Sequence, residues 1–323
     1  MNPPTVLIII DPLVPAAARA RFVQAVTDAA PIARVLSAET PKGVLHHAAD
    51  AEVIAGLRVT APMIERAPRL RWVHAFGAGV DQLVSVPGVR DGRIVLTRTV
   101  GAFSPIPEHV LALALAFSRR LHVAVRNQLA HRWDRPAAIG WELHGQVMGI
   151  LGLGQIGQAL ASRAASLGMR IIGVKRTPEP LPHVDRVLPP DRIDEVLRDA
   201  DVVVALLPLT PATRGLLGER EFRLMKPTAV FINVARGAIV QEPALLTALR
   251  SGWIAAAGLD VFDEEPLPPD HPFYELEHVI LTPHVSAASP RVFDQMAAVF
   301  AENLRRYIAG EPLLHVVDAA RGY

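Results

Sequence analysis

The stretch from 149 to 157 reads Gly-Ile-Leu-Gly-Leu-Gly-Gln-Ile-Gly and contains the spacing Gly-x-Gly-x-x-Gly. An apolar run, Gln146 to Leu151, leads into it, a helix-like segment, Gln158 to Leu167, follows it, and a second apolar run covers Met169 to Val174. This order predicts a strand, a glycine turn, a helix and a second strand, which is the unit that binds dinucleotides. The glycine spacing alone is weak, and the flanking elements make the prediction specific.

Each glycine of this pattern has a separate task in such a turn. Gly152 allows the tight turn, Gly154 lets the backbone approach a pyrophosphate, and Gly157 lets the helix lie close on the strand. The diphosphate is expected at the free N–H groups of the helix start, where the helix dipole is positive. The sequence therefore predicts a bound dinucleotide and hydride-transfer chemistry, with a ligand-free glycine turn as the alternative.

Composition narrows the class of protein. The length of 323 residues suggests about two domains, and half of the residues are hydrophobic. A net charge of +1, with no cluster of cations, argues against a nucleic-acid or polybasic membrane surface. The absence of cysteine excludes disulfides, thiolate zinc sites and a cysteine nucleophile, and we predict no metal site. We expect a cytoplasmic protein, because the start resembles no signal peptide and Val110 to Phe117 is too short to span a membrane.

Short apolar runs alternate with helical patches along the chain, which predicts parallel sheets covered by helices. In the N-terminal third the candidate strands are Val6–Ile10, Ala33–Leu36, Arg71–His74 and Ile94–Leu96. Six further strands are predicted at Val147–Leu151, Arg170–Val174, Asp201–Leu206, Ala229–Ile232, Ala255–Leu259 and Val279–Leu281. The proline-rich stretch from Arg176 to Pro190 is interpreted as a loop.

Two long helices complete this pattern. One begins near Pro105 and is predicted to run past Arg120, with a wide apolar face buried between domains or subunits. The other covers Pro290 to Ala309, and Ser289 before it is a good N-cap.

Six motifs follow one another in a fixed order. They are Phe76-Gly-Ala-Gly-Val-Asp81, the glycine loop, Pro208-Leu-Thr-Pro-Ala-Thr213, Asn233-Val-Ala-Arg-Gly237, Gly258-Leu-Asp-Val-Phe262 with Glu264-Glu265-Pro266, and Leu281-Thr-Pro-His-Val285. In identity and order this set resembles the D-isomer-specific 2-hydroxyacid dehydrogenase family, closest to its glyoxylate/hydroxypyruvate reductase-like members. The resemblance covers nearly all of the chain from about Leu70 to His284.

The resemblance implies an α/β fold of two Rossmann-like or flavodoxin-like domains with parallel sheets. The cofactor domain, residues 100–284, would be inserted into a discontinuous substrate domain made of residues 1–99 and 285–323. It also implies a homodimer formed largely through the segment around the first long helix.

Three residues are candidates for the chemistry of 2-keto acid reduction. Arg236 follows a predicted strand, and its planar guanidinium can hold the adjacent oxygens of a keto acid in two parallel bonds. His284 follows another strand and can exchange a proton near neutral pH. By resemblance Arg236 binds substrate, His284 is the acid/base group, and Glu265 hydrogen-bonds the histidine. The alternatives are a helix-capping arginine, a structural histidine and a solvated acidic loop.

The substrate carboxylate is expected at the backbone N–H groups of Gly77, Ala78 and Gly79, where small residues allow close approach. A simple turn before a helix is the alternative for this segment. Phe76 is expected to narrow the pocket, and Trp141 either closes it or packs in a core or interface.

The end of the second strand of the unit predicts which cofactor is preferred. An NAD site normally has an acidic residue there, but this chain has Lys175, Arg176 and Thr177. Two cations and a hydroxyl suit a 2′-phosphate, which predicts NADP over NAD, with NAD still possible. The resemblance implies further cofactor contacts at Gln155, Ile156, Leu207, Pro208, Thr213, Val234, Ala235 and Asp260, the last to the nicotinamide amide.

The sequence thus predicts an NAD(P)-dependent reductase of a small 2-keto acid, such as glyoxylate or hydroxypyruvate, that forms the D-2-hydroxy acid. A formate or phosphite dehydrogenase on the same scaffold is disfavoured, by Glu265 and by Phe76 respectively. The alternative from another class is a dinucleotide-sensing corepressor or binding module on the same fold.

Overall fold

The computed structural model describes residues 3–10, 14–77, 79–101 and 105–322, apart from the side chain of Pro41. These residues form two compact units, Met1–Phe103 with Ala288–Tyr323, and Ser104–Ala287. The assignment of the first unit to substrate and of the second to cofactor stays a prediction. None of the helices in the described ranges is long and apolar enough to cross a membrane. No group of histidine and acidic side chains in those ranges is arranged to hold a metal ion.

The discontinuous unit contains a parallel sheet of five strands in the order β2-β1-β3-β4-β5 among its described residues. This is the order of flavodoxin-like folds. The strands are β1 Thr5–Ile9, β2 Arg34–Ala38, β3 Val53–Gly56, β4 Trp72–Ala75 and β5 Val95–Arg98. The helices are α1 Ala16–Ala29, α2 Pro41–Ala48, α3 Ala61–Glu65, α4 Asp81–Val84, α5 Pro87–Arg90 and α12 Pro290–Ala309.

The continuous unit contains a parallel sheet of seven strands in the order β12-β11-β10-β9-β6-β7-β8 among its described residues. Counted within the unit, this is the 3-2-1-4-5-6 order of dinucleotide-binding sheets with one strand added. The strands are β6 Val147–Leu151, β7 Arg170–Val174, β8 Arg186–Leu188, β9 Val202–Ala205, β10 Val230–Asn233, β11 Ala256–Leu259 and β12 Val279–Leu281. The helices are α6 Pro105–Ser118, α7 Leu121–Leu129, α8 Gln155–Ser166, α9 Ile193–Asp199, α10 Glu219–Leu224 and α11 Glu242–Arg250. The predicted α/β class with two parallel sheets is therefore confirmed.

Two strands were missed by the sequence prediction. β3, Val53–Gly56, is a buried run of four residues, too short for its periodicity to distinguish strand from helix. β8 lies inside the stretch interpreted as a proline-rich loop, and among the strands of the described ranges it pairs with β7 alone. An edge strand of three residues tolerates flanking prolines because one of its sides makes no ladder hydrogen bonds.

The first long helix is interrupted, contrary to the sequence prediction. α6 ends at Ser118, and Arg120 takes a left-handed conformation with φ 54° before α7 begins. The carbonyl of Ser118 accepts the backbone N–H of Trp141 at 2.7 Å, where a continuous helix would use its own chain. A Cβ on Gly140 would lie 2.0 Å from that carbonyl oxygen, so only glycine allows this approach.

The apolar face of α6 is part of the core of its own unit. Val110, Leu113, Ala114 and Phe117 are buried, and the helix packs on α8, β10 and β11. Leu121, beyond the break, is 52% exposed in the single chain, and burial of this part of the face against another domain or subunit stays a prediction.

Candidate active site

Three neighbouring parallel strands bring three of the candidate residues to one edge of the seven-stranded sheet. The strand ends are aligned, because Asn233 pairs with Leu259 and Leu259 pairs with Leu281. The loop after β10 carries Arg236, the loop after β11 carries Glu265, and the loop after β12 carries His284. This is the carboxyl edge of the sheet, where ligands of open α/β sheets bind.

His284 and Glu265 form a hydrogen-bonded pair. Nδ1 of His284 lies 2.7 Å from Oε2 of Glu265, and Oε1 of Glu265 accepts the backbone N–H of Phe262 at 3.0 Å. A carboxylate only accepts hydrogen bonds, so Nδ1 carries the proton of this contact. The His284 side chain is 47% exposed, and its remaining nitrogen, Nε2, is the one suited to a substrate.

The backbone of His284 lies in the left-handed region, with φ 53°. Residues other than glycine hold this conformation when the surrounding structure fixes it, and such residues concentrate at functional sites. Here the N–H of His284 donates to the carbonyl of Asp260 at 2.8 Å. The side chain of Asp260 holds the next two residues of the loop, Val285 and Ser286, through their N–H groups, each at 2.9 Å.

Asp260 supports the His284 loop from within the protein. It is fully buried, and its carboxylate accepts three hydrogen bonds from the protein, two from backbone N–H groups and one from the Thr282 hydroxyl. A carboxylate with two oxygens can accept about four hydrogen bonds, so these three contacts leave one acceptor position. The expected contact with the nicotinamide amide stays a prediction.

The loop of Arg236 is built by Asn233, the last residue of β10. The buried Asn233 amide donates to the Arg236 carbonyl at 3.1 Å and accepts the N–H of Ala235 at 3.1 Å. The Arg236 guanidinium donates to the Ala235 carbonyl at 2.7 Å. A Cβ on Gly237 would lie 1.9 Å from the backbone of Phe262, so the Arg236 loop rests directly on the loop that leads to Glu265.

The glycine loop fits a dinucleotide. Gly152 has φ 115°, and a Cβ on Gly157 would lie 2.3 Å from the Gly152 carbonyl oxygen, so both positions require glycine for the fold itself. A Cβ on Gly154 would meet no described atom within 4 Å. The fold therefore does not require glycine at 154, and the open space there is what a closely approaching pyrophosphate would fill.

Gly154 is also the N-cap residue of α8, a helix of 12 residues. Gln155 is exposed and Ile156 is half-buried at the start of this helix. The loop leaves from β6, whose neighbours β7 and β9 continue in opposite directions along the sheet. This is the position where such sheets bind nucleotides.

The corner after β7 contains an acidic residue that the sequence reasoning missed. Arg176 and Thr177 are exposed, and Lys175 contacts Glu179, four residues further on. The side chain of Glu179 is 58% exposed, and an exposed ion pair of this kind contributes little to stability. Lys175 and Glu179 lie outside any helix, so their spacing of four residues gave no signal in the sequence.

The remaining cofactor candidates lie at the same edge of the sheet. Leu207 and Pro208 follow β9, and Thr213 stabilises their turn by donating to the Pro208 carbonyl at 2.6 Å. Val234 and Ala235 follow β10 and are 6% and 8% exposed.

The predicted substrate residues lie in the discontinuous unit, after β4. Gly77 and Gly79 are described there, whereas Ala78 lies outside the described residues. Phe76 is 3% exposed and packs on Phe22 and Phe300, with ring centroids 4.8 and 5.9 Å away. Phe76 therefore packs in the core behind the loop, and its expected role in narrowing the substrate pocket stays a prediction.

A buried polar cluster in this unit was also missed. Nδ1 of His74 lies 2.7 Å from the Thr97 hydroxyl, and Nε2 lies 3.2 Å from the Thr99 hydroxyl. Burial, with a contribution from His315, lowers the pKa of His74 to about 3, so the ring is neutral at physiological pH. The ring of His74 also packs on Phe76, at a centroid distance of 5.8 Å.

Comparison with known proteins assigns the family. The model of the NAD-binding domain of D-isomer-specific 2-hydroxyacid dehydrogenases matches residues 111–286, which is more than half of the chain. The glyoxylate reductase of Thermococcus gammatolerans is 37% identical over 261 residues, 79% of this chain and 78% of its own. The chain belongs to this family.

Two further relatives of this dehydrogenase support the same family assignment. The D-3-phosphoglycerate dehydrogenase of Methanocaldococcus jannaschii is 35% identical over 86% of this chain, which spans only 54% of that longer protein. The NADPH-dependent glyoxylate/hydroxypyruvate reductase of Sinorhizobium meliloti, solved with NADP and sulfate, has a TM-score of 0.85 and 30% identity. That comparison covers 99% of this chain and 100% of the other.

Membership of the family makes this chain an NAD(P)-dependent oxidoreductase. The resemblance predicted from the six motifs is confirmed. The comparisons give no support to the alternative of a sensing corepressor.

Proposed function

We propose that this dehydrogenase reduces a small 2-keto acid of the glyoxylate or hydroxypyruvate type to the D-2-hydroxy acid, with NADPH as the preferred donor. The observation that carries the proposal is the hydrogen bond between His284 Nδ1 and Glu265 Oε2 at the carboxyl edge of the cofactor sheet. A ketone accepts a hydride at carbon and a proton at oxygen. The pair provides a proton donor whose second nitrogen is available for that oxygen.

The roles of the three candidate side chains follow from their chemistry. Arg236 binds and orients the keto acid, because a guanidinium holds adjacent oxygens in two parallel bonds and stabilises negative charge that develops on the ketone oxygen. His284 donates the Nε2 proton to that oxygen. Glu265 accepts from Nδ1, which fixes the orientation of the ring. When bound, the nicotinamide supplies the hydride.

Gly77, Ala78 and Gly79 are proposed to bind the substrate carboxylate through backbone N–H groups. The described part of this loop supports the proposal, because a Cβ on Gly77 would meet only backbone atoms of Gly79, at 3.8 Å and 4.0 Å. No side chain in the described residues therefore crowds the Gly77 backbone on that side. Small anions bind to such exposed N–H groups.

The preference for NADPH rests on the corner after β7. Lys175 and Arg176 place two cations where NAD-specific sites carry an acid, and the relative from Sinorhizobium meliloti is NADPH-dependent. Among the described residues, Glu179 is the acidic residue that contacts Lys175. A 2′-phosphate carries more charge than a carboxylate, so we propose that it replaces Glu179 as the partner of Lys175.

A homodimer is proposed through the segment after α6. Five large apolar side chains there are more than half exposed in the single chain: Leu121, Val125, Leu129, Trp133 and Ile139. Trp133 is 97% exposed, and exposed apolar side chains concentrated in one segment are typical of a protein interface. Sedimentation equilibrium should give twice the mass of one chain for the native protein and the mass of one chain for Trp133→Asp. A monomeric native protein contradicts the proposed homodimer.

Residence in the cytoplasm stays a prediction from the sequence.

The test of the proposed function is a substrate panel measured with both cofactors. NADPH and NADH are each assayed with glyoxylate, hydroxypyruvate, pyruvate and a bulkier aromatic 2-keto acid. We expect the highest kcat/KM with NADPH and one of the first two acids. Binding of NADPH without turnover of any acid, or a clear preference for the aromatic acid, overturns the proposal.

A further inference from the structure

His109 reaches from α6 to the loop that carries His284. Nε2 of His109 lies 3.0 Å from the hydroxyl of Thr282, and the His109 side chain is 20% exposed. Thr282 stands directly after β12, two residues before His284. The helix and the loop belong to the same compact unit. None of the roles proposed above uses this contact.

The direction of the hydrogen bond follows from counting protons. The hydroxyl of Thr282 has one proton, and it donates that proton to Oδ1 of Asp260 at 2.6 Å. Its oxygen must therefore accept from His109, which means that Nε2 of His109 carries a proton. The distance from His109 Nε2 to Asp260 Oδ1 is 3.8 Å, which is too long for a direct hydrogen bond. His109 thus acts on Asp260 through Thr282.

Asp260 links Thr282 to the loop that carries His284. Its two carboxylate oxygens accept the N–H groups of Val285 and Ser286, the residues that follow His284. Asp260 is fully buried, so its orientation depends on these donors and on Thr282. His284 itself has a positive φ of 53°, a conformation that is maintained only by its surroundings.

We propose that His109 is a positioning residue for His284. It donates to Thr282, Thr282 donates to Asp260, and Asp260 holds the loop so that the His284 ring meets Glu265. The proposal rests on the proposed function of His284, and it adds a residue whose effect is transmitted through two others. In this proposal His109 contacts neither the substrate nor the proton that His284 donates.

The first test is the exchange of backbone amide hydrogens in the complete protein. His109→Leu removes the donor and keeps an apolar side chain of comparable size. We expect the amide hydrogens of Val285 and Ser286 to exchange about two- to tenfold faster, the range produced by the loss of one hydrogen bond. The matched control is His122→Leu, which removes a half-buried histidine from α7 and should leave both amides unchanged.

The second test is kinetic. His109→Leu should lower kcat for keto acid reduction on the order of tenfold, because a slightly displaced proton donor reacts more slowly. The KM for NADPH should not change. His109→Gln keeps an N–H donor and should restore most of the lost kcat. Thr282→Val should reproduce the loss, and adding His109→Leu to it should cost nothing more, because both act through one contact.

Unchanged exchange at Val285 and Ser286 in His109→Leu overturns the proposal, and so do additive losses in the double variant. The exchange measurement needs no turnover, so its result stands even if the protein reduces none of the tested acids. Failure of the proposed substrate class is therefore distinguishable from failure of this inference. If His109→Leu does not fold, Thr282→Val and His109→Gln provide the same comparison.

Discussion

The His284 imidazole and the Glu265 carboxylate join the loops after two neighbouring strands, at 2.7 Å between Nδ1 and Oε2. The carboxylate is held in turn by the backbone N–H of Phe262. The position of the ring is therefore set by groups from both loops, which is the arrangement that proton transfer in a fixed direction requires. Each element of this arrangement can be changed separately.

Glu265→Gln keeps the shape of the side chain and an oxygen for the Phe262 N–H, but it removes the negative charge beside the imidazole. We expect kcat for reduction to fall about tenfold to a hundredfold, with the KM for NADPH unchanged. The matched control is Glu264→Gln, which removes the neighbouring acid. Steady-state kinetics check both variants, and equal losses in the two would contradict the assignment of Glu265.

Gly154→Ala and Gly157→Ala separate cofactor binding from folding. A Cβ at 154 has open space, so this variant should keep the wild-type Tm while the Kd for NADPH rises roughly tenfold. A Cβ at 157 would lie 2.3 Å from the Gly152 carbonyl oxygen, so that variant should lose about 1–3 kcal/mol of stability or more. Thermal melts and NADPH titrations measure the two effects. Destabilisation by Gly154→Ala would show that the fold, and not the cofactor, requires this glycine.

Lys175→Ala combined with Arg176→Ala tests the preference for NADPH. One charge pair contributes roughly 1 kcal/mol in water and about 4 at intermediate screening, so the KM for NADPH should rise about fivefold to several-hundredfold. The KM for NADH should change little. Glu179→Gln removes the acid beside Lys175 and should shift the kcat/KM ratio towards NADPH. An unmodified protein that prefers NADH is the result that rules this prediction out.

His74 makes stability depend on pH. Its folded-state pKa, lowered by burial to about 3, lies below the value of about 6.5 in an unfolded chain. The unfolded state therefore binds more protons below pH 6.5, and the contribution of His74 to stability, complete above that pH, is lost as the pH falls towards 3. Over this pH range one such group changes the free energy of unfolding by about 1.4 kcal/mol per pH unit.

His74→Gln should remove that slope from the free energy of unfolding between about pH 6 and pH 4, because an amide does not titrate in this range. Denaturant unfolding of both proteins at a series of pH values gives the two slopes. Parallel curves would mean that His74 is protonated within the fold.

The sequence predicted elements whose signals are local. β6, β7 and β12 have the predicted bounds, because each is an apolar run with a glycine, a charged residue or a proline within two residues of its end. α12 begins and ends as predicted, and the hydroxyl of Ser289 caps it by accepting the Val292 N–H.

What the sequence did not predict depends on partners that are distant in the chain. The break after Ser118 exists because Trp141 and Gly140 pack against the end of α6. Positions 119 and 120 are neither glycine nor proline, so the local sequence does not indicate a break. β8 is a strand because β7 offers a free edge. Neither partner can be identified from periodicity along one segment.

The residues of the candidate site likewise divide into those with a local signal in the sequence and those without one. Arg236 and His284 were found because each follows a predicted strand, and strand ends are where such sheets bind ligands. His109 was not found, because 173 residues separate it from Thr282 and its place on an apolar helix gives no signal. The support that Asp260 gives to the His284 loop was not predicted, because its three donors are known only from the folded loop.

The role of His284 is tested by the single-turnover rate of glyoxylate or hydroxypyruvate reduction in His284→Ala with saturating NADPH. We expect NADPH to bind with the wild-type Kd while the rate of hydride transfer falls by about two to four orders of magnitude, the usual contribution of a positioned acid. A variant that binds NADPH and reduces the keto acid at the wild-type rate would contradict the claim that His284 supplies the proton.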